Sequence, residues 1–247
     1  MSQKKIVIIP TYNEIENISD IIERVMALPG NFEVLVIDDG SPDGTAQAVR
    51  SRQLVHSERV HLIERPGKLG LGTAYIAGFK HALERGYEYI FEMDADFSHN
   101  PDDLVRLYEA CALQGYDMAI GSRYITGVNV VNWPMGRVLM SFFASKYVQF
   151  ITGIPIKDTT AGFKCYHRKV LEAINLDKIR FIGYAFQIEM KFTAWQLGFN
   201  IVEVPIIFTD RTRGNSKMSK HIFREAVFGV IYMKVQSWFK PYKVNRT

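Results

Sequence analysis

Apolar positions follow two alternating rhythms over the first half of the chain. Five short, nearly continuous apolar runs predict strands: "KKIVIIP" from Lys4, "FEVLVIDDG" from Phe32, "RVHLIE" from Arg59, "YEYIFEMDAD" from Tyr87 and "YDMAIGSR" from Tyr116. Runs without polar alternation mark strands covered on both faces. Between them, apolar residues recur every three or four positions, the helical period. Helices are therefore predicted for "ENISDIIERVMAL" from Glu16, "SPDGTAQAVRSRQL" from Ser41, Gly70 to Glu84, and "NPDDLVRLYEACAL" from Asn100. Pro29-Gly30 stops the first. Ser41 is expected to open the second, with Pro42 in its first turn, and Asn100 to cap the fourth. Strand–helix alternation implies right-handed crossovers and a mostly parallel, Rossmann-like α/β sheet flanked by helices.

The rhythm then changes. Met135 to Ile154 predicts a helix with many large apolar residues, and "AGFKCYHR" from Ala161 a strand leading into the helix "KVLEAI". "YAFQIEMKFTAWQLG" from Tyr184 predicts a helix. "FNIVEVPIIFTD" from Phe199 predicts a strand, with Pro205 suggesting an edge or a bulge. "KHIFREAVFGVIYMKVQSWFK" from Lys220 predicts a last helix. Neither a low-complexity linker nor a repeat interrupts the chain. The expected organisation is a single domain over residues 1–219, followed by a basic amphipathic helix over 220–247.

Composition narrows the classes. The 247 residues suffice for one sizeable core, and 47% hydrophobic with 23% charged residues is a globular balance. Only Cys111 and Cys165 occur, without a nearby Cys or His, so free thiols in a reducing compartment are expected rather than disulfides or zinc. Uncharged runs such as Tyr147 to Ile156 fall short of the about 20 apolar residues that a spanning helix needs. The run before Pro10 is too short for a signal peptide. A cytoplasmic location is expected. The net charge of +4 is unevenly placed: residues 211–247 carry +8 and the rest −4. Such a tail suits polyanions such as phosphates or anionic lipid, or it is a solvated helix face. No nucleic-acid recognition motif accompanies it, so nucleic acid is set aside.

Ligands of open parallel sheets bind beyond the carboxyl ends of the strands. Polar clusters fall there: Thr11-Tyr12-Asn13-Glu14, Asp38-Asp39-Gly40-Ser41, Asp94-Ala95-Asp96 and Gly121-Ser122-Arg123. If the fourth strand runs through "MDAD", Asp94 and Asp96 face one way, about 6–7 Å apart. Two carboxylates that close repel unless something pairs them. Mg²⁺ or Mn²⁺ resolves this most economically, through one or two carboxylates with phosphates and water completing the shell. Turn or capping aspartates are the plainer alternative. "GKLGLG" from Gly67 matches neither the P-loop nor the dinucleotide glycine pattern, leaving a tight turn or an anion-facing helix start. "DRTRGNSKMSK" gathers Arg211, Arg213, Lys217 and Lys220, donors suited to a diphosphate. The six histidines are scattered, and no Ser-His-Asp arrangement is convincing.

Seven segments, "IIPTYNEIENI", "VLVIDDGSPDGT", "GKLGLGTAYIAGF", "MDADFSHNPDDL", "IGSRY", "DTTAGFKCYHRKVL" and "FTDRTRGNSKMS", together resemble the polyprenol- and dolichyl-phosphate mannose synthases. These are family 2 glycosyltransferases of GT-A fold. The likeness runs in order from about Ile6 to Ser219. It implies transfer of mannose from GDP-mannose to a polyprenyl phosphate with inversion at the anomeric carbon. It also implies that Pro10, Tyr12, Glu14, Ile37 and Asp39 hold the nucleoside. Asp94, Ala95 and Asp96 match the donor and metal motif, with Asp94 and Asp96 catalytic and Asp96 the direct ligand. Family members often carry Gln or Ser where this chain has Ser98, a third metal candidate. Arg211 and Lys217 match residues that embrace the donor diphosphate, whereas Arg213 falls where relatives vary. Arg123 and Arg137 match basic residues near the transferred sugar or the acceptor phosphate, and Arg123 is expected to be catalytic.

Family members reach their lipid through C-terminal spans or through separate membrane subunits. The expected partners here are therefore the cytoplasmic face of a membrane and a separate membrane protein. In the last helix, Phe223, Val227, Ile231, Val235, Trp238 and Phe239 alternate with Arg224, Lys234 and Lys240, which suits an interfacial helix or ordinary core packing. Two rival functions stand beside this one: transfer of another sugar from a UDP donor, and nucleotide-sugar binding without catalysis.

Overall fold

Backbone pairing explains why the strand runs lack polar alternation. In the computed structural model, which describes residues 3–211 and 220–239, β1 (Lys5–Thr11) is an interior strand of a sheet with both faces covered. Ile6 and Ile8 join one apolar layer, while Val7 and Ile9 join the other. β2 (Phe32–Asp38), β3 (Val60–Glu64) and β4 (Tyr89–Glu92) complete a parallel half. β5 (Met118–Ser122) pairs in parallel with β8 (Ile201–Pro205). β7 (Lys164–His167) lies antiparallel between β4 and β5 and joins the two halves. Among the described residues the order is β3-β2-β1-β4-β7-β5-β8. Pro205 thus ends an edge strand, where a missing N–H costs no ladder bond.

Helices cover both faces. α1 (Ile18–Met26), α2 (Thr45–Val55) and α4 (Asp103–Ala112) carry the layer that holds Ile21, Val25, Leu104 and Leu107. α3 (Leu71–Glu84) and α7 (Tyr184–Gln196) carry the opposite layer with Tyr75, Phe79 and Phe186, and short α6 (Arg168–Ala173) adds Val170 and Leu171. α5 (Met135–Thr152) and α8 (Lys220–Phe239) pack together outside it, and Val230 and Met233 of α8 are buried. A two-stranded ribbon, β6 (Val130–Val131) with β9 (Phe208–Thr209), stands beside the main sheet.

Several boundaries depart from the sequence expectations. The single strand expected from Phe199 splits after Pro205 into β8 and β9, which pair in different sheets. α2 starts at Thr45, not Ser41. Ser41 is drawn off by Asp38, donating its hydroxyl at 2.6 Å and its N–H at 2.9 Å. Asp43 instead accepts from the N–H and hydroxyl of Thr45. α4 starts at Asp103, because Asn100 accepts from the N–H of Asp102 and closes a turn ahead of the helix. β4 stops at Glu92, so Asp94 and Asp96 lie in the loop beyond it and not on one strand face.

Candidate active site

The four polar clusters meet along one sheet edge because parallel strands share their carboxyl ends. Thr11 donates to Asp38 at 2.8 Å across the first two strands. Asn13 and Glu14 donate backbone N–H groups to Ser41 and Thr45. Pro10 pairs with Ile37 in the ladder, and Lys68 lies over the ring of Tyr12 at 5.1 Å. Asp39 is almost wholly buried; Arg65 Nε donates to it at 2.6 Å and the N–H of Leu69 at 3.1 Å. Sequence reading missed Arg65, which no motif singles out. These residues form a floor of fixed polar groups on the β1–β2 side.

Of the glycines in "GKLGLG", Gly72 serves helix packing, whereas Gly67 borders open space. A methyl group on Gly72 would lie 2.8 Å from the Phe181 carbonyl oxygen and from the Phe186 ring. The N–H of Gly72 already donates to Ile182 at 2.9 Å, so protein fills the start of α3.

Beyond β4 the chain reverses at Phe97, whose φ is +58°. The N–H of Ser98 thereby reaches Asp96 Oδ1 at 3.0 Å, and Arg211 Nη2 lies 2.7 Å from Asp96 Oδ2. Asp94 meets the hydroxyl of Tyr75 at 3.4 Å. Burial, and then the charge of Asp96, push the Asp94 carboxyl up to about 7, against the pull of Arg211. Its surface still opens in part to solvent. Ala95 is buried between the two. A raised carboxyl beside one held by an arginine is a site short of positive charge. Its hard oxygen donors fit Mg²⁺ or Mn²⁺, with Ser98 beside them.

A buried polar cluster lies behind Asp94. Glu92 accepts from Tyr166 at 2.7 Å and from Gln187 at 2.8 Å, and lies 3.0 Å from Lys164, which also meets Gln187. Lys191, equally buried, donates to the carbonyl of Ala161 at 2.5 Å. Desolvation lowers both lysines; Glu92 draws Lys164 back up, while the charge of Lys164 lowers Lys191 further. Sequence reading passed over these groups. The available signal was a lysine inside each of two apolar stretches, "GFKCY" and "IEMKFTA".

Arg123 stands at the end of β5 and turns inward. Its Nε and Nη2 donate to Asp158 at 2.7 and 2.6 Å, and Nη2 also to Thr160 at 2.8 Å. The rings of Tyr124, Trp133 and Phe208 surround it at 5.2 to 5.6 Å. Burial would raise Asp158, but the charge and hydrogen bonds of Arg123 hold it below the usual carboxylate range. Arg123 thus clamps the segment from Asp158 to Ala161 against the site. Arg137, on α5, donates to Asp210 at 2.8 Å and lies 4.1 Å from the Trp133 ring. His99 is buried against Phe163 and Phe208, and burial lowers it to about 4, so it packs there as a neutral ring. Lys217 and Arg213 lie outside the described residues.

An acidic pair flanked by arginines at the carboxyl-end edge of a mostly parallel sheet is the GT-A arrangement, and solved structures share that fold. A glucosyl-3-phosphoglycerate synthase from Mycobacterium tuberculosis, solved with Mn²⁺, uridine diphosphate and phosphoglyceric acid, superposes with a TM-score of 0.69 at 17% identity, over 94% of this chain and 78% of that one. A mannosyltransferase from Pyrobaculum calidifontis, solved with GDP-Man and Mn²⁺, gives 0.60 at 19% identity, over 96% and 64%. The chain belongs to glycosyl transferase family 2, whose model matches residues 6–174. It is 48% identical to a polyprenol monophosphomannose synthase from Mycolicibacterium smegmatis, over 96% of this chain and 87% of that protein. It is 47% identical to an undecaprenyl-phosphate mannosyltransferase from Micrococcus luteus, over 90% of each. The protein is a glycosyltransferase.

Proposed function

We propose that the enzyme transfers mannose from GDP-mannose to a polyprenyl phosphate, giving a β-linked lipid-phosphate mannose by inversion. The arrangement of Asp94 and Asp96 with Arg211 on one side and Arg137 on the other carries the reading. On this reading the acidic pair would take the metal, and Arg137, which meets the Asp210 carboxylate, would take the acceptor phosphate. Both relatives at nearly half identity are named as mannosyl transferases to polyprenyl phosphates.

Asp94 and Asp96 would hold Mg²⁺ or Mn²⁺, with Ser98 adjacent, and the ion would offset charge on the departing diphosphate. Arg211, with Lys217, takes up the remaining phosphate charge. Pro10, Tyr12, Glu14, Ile37 and Asp39 form the nucleoside floor. The nucleophile is an oxygen of the lipid monophosphate, largely dianionic at neutral pH because its second pKa is about 6. No side chain need remove a proton, which agrees with a neutral, packed His99. Arg137 orients the acceptor phosphate. Arg123 acts as a positioning residue through Asp158 rather than on the reacting atoms.

The membrane surface is the proposed place of work. No helix among the described residues is long and apolar enough to cross a membrane. α5 and α8 nevertheless expose Phe143, Phe150, Trp238 and Phe239, each at more than 60%, with Lys146 exposed nearby. That pattern suits peripheral docking on the cytoplasmic face, alone or beside a membrane protein.

A radiolabelled donor panel with polyprenyl phosphate, with and without chelator, tests this. GDP-mannose should give a chelator-sensitive lipid product. Product from a UDP-sugar alone would replace the donor; no product from any donor with folded protein would leave only binding.

A further inference from the structure

Asp210 and Arg211 are neighbours of opposite charge, and each is paired with a different half of the site. Arg211 Nη2 lies 2.7 Å from Asp96 Oδ2. Asp210 Oδ1 accepts from Arg137 Nη1 at 2.8 Å and from the N–H of Arg211 at 3.1 Å. One carboxylate oxygen therefore serves the acceptor-side arginine and the backbone of the donor-side arginine together.

The chain leading to this pair is pinned. Phe208, Thr209 and Asp210 donate N–H groups to Asn129, Ser98 and Val131 at 3.0 to 3.1 Å. A change at residue 211 cannot be absorbed by sliding β9. A backbone change there bears on the 210–211 peptide, whose N–H the Asp210 carboxylate holds. Arg137 keeps a second support, the Trp133 face at 4.1 Å, when that carboxylate turns away.

Asp96 and Arg137 are thus each partnered from within, while Asp94 is left without a direct cation among the described contacts. Arg211 stands beside Asp96 as a cation would, and Asp210 stands on Arg137 as a phosphate would. Resting on the function proposed above, we propose that Asp210 is a placeholder for the acceptor phosphate. It withdraws from Arg137 when Arg211 leaves Asp96 for the donor diphosphate. A lipid phosphate reaching Arg137 earlier meets a like charge already on the same guanidinium. Donor and metal binding then strengthens acceptor binding, and linkage makes the effect reciprocal.

Calorimetric binding of farnesyl phosphate to the full chain, in EDTA or in Mn²⁺ with GDP, tests the coupling without turnover. In the unaltered protein, affinity should tighten on the order of tenfold with Mn²⁺ and GDP. In Asp210→Asn, affinity in EDTA should match the tightened value, and the ratio should fall to about one. Asp210 is partly exposed, so the variant should fold, and a thermal melt confirms it. Three results overturn the proposal: a ratio of one in the unaltered protein, a tenfold ratio kept in Asp210→Asn, or weaker binding of the variant in both conditions. The last would make Asp210 a prop for Arg137 rather than its competitor. Turnover of GDP-mannose with no such ratio sinks the coupling alone; no turnover from any donor sinks the function beneath it.

Discussion

Asp94 and Asp96 differ in what answers their charge: Asp96 pairs directly with Arg211, whereas Asp94 meets a tyrosine hydroxyl at 3.4 Å and two acidic neighbours that outweigh the pull of Arg211. Asp94→Asn removes a buried repulsion. Metal-free thermal stability should hold or rise while turnover falls by about 10²-fold or more. A melt and a rate assay on the same sample check this; a lower melting temperature would mean that the carboxylate supports the fold. Asp158 behaves in the opposite way. Its folded carboxyl is held below the usual range, so its contribution is complete above the unfolded value near 4 and is lost as pH falls through the folded value. Arg123→Met leaves that charge buried without its clamp and should cost about 3–5 kcal/mol at pH 7. The deficit should shrink below pH 4, as read from urea melts across pH.

At the scale of elements, α3 sits on β1 because it presents glycine there. A methyl group at Gly78 would lie 2.6 Å from Ile8 Cγ2, on the buried face of β1. Gly78→Ala should destabilise by about 1–3 kcal/mol through overpacking, despite the better helix propensity of alanine. Denaturant melts decide the sign. α8 has two faces: Val230 and Met233 pack inward, and Gly229 meets the Phe181 ring, while Trp238 and Phe239 stand exposed. Trp238→Ser with Phe239→Ser should weaken partition onto anionic vesicles at least tenfold, since exposed aromatic side chains lose apolar burial. The rate on a short-chain soluble acceptor should stay unchanged. Equal partition would assign that face to a protein partner instead.

Across the whole molecule, the strand–helix order of the first half, the mostly parallel sheet and the family were legible in the chain, and Pro205 narrowed its strand to an edge or a bulge. Two-sided burial writes itself as unbroken apolar runs, and the donor and metal motifs are local in sequence. Other features required the fold. "YEYIFEMDAD" is one apolar-to-acidic run, yet pairing ends at Glu92 and the aspartates enter a loop. The reversed strand Lys164–His167 looks like any other strand, because direction is set by neighbours and not by composition. The Arg123–Asp158 clamp, the polar cluster behind Asp94 and the Arg137–Asp210 pair join residues 23 to 95 positions apart. Sequence alone thus determined the elements, their class and the residue types at the strand ends, because periodicity and short motifs are properties of neighbouring positions. Tertiary structure alone decided which charge faces which, because an ion pair depends on distance in space and on the water excluded around it.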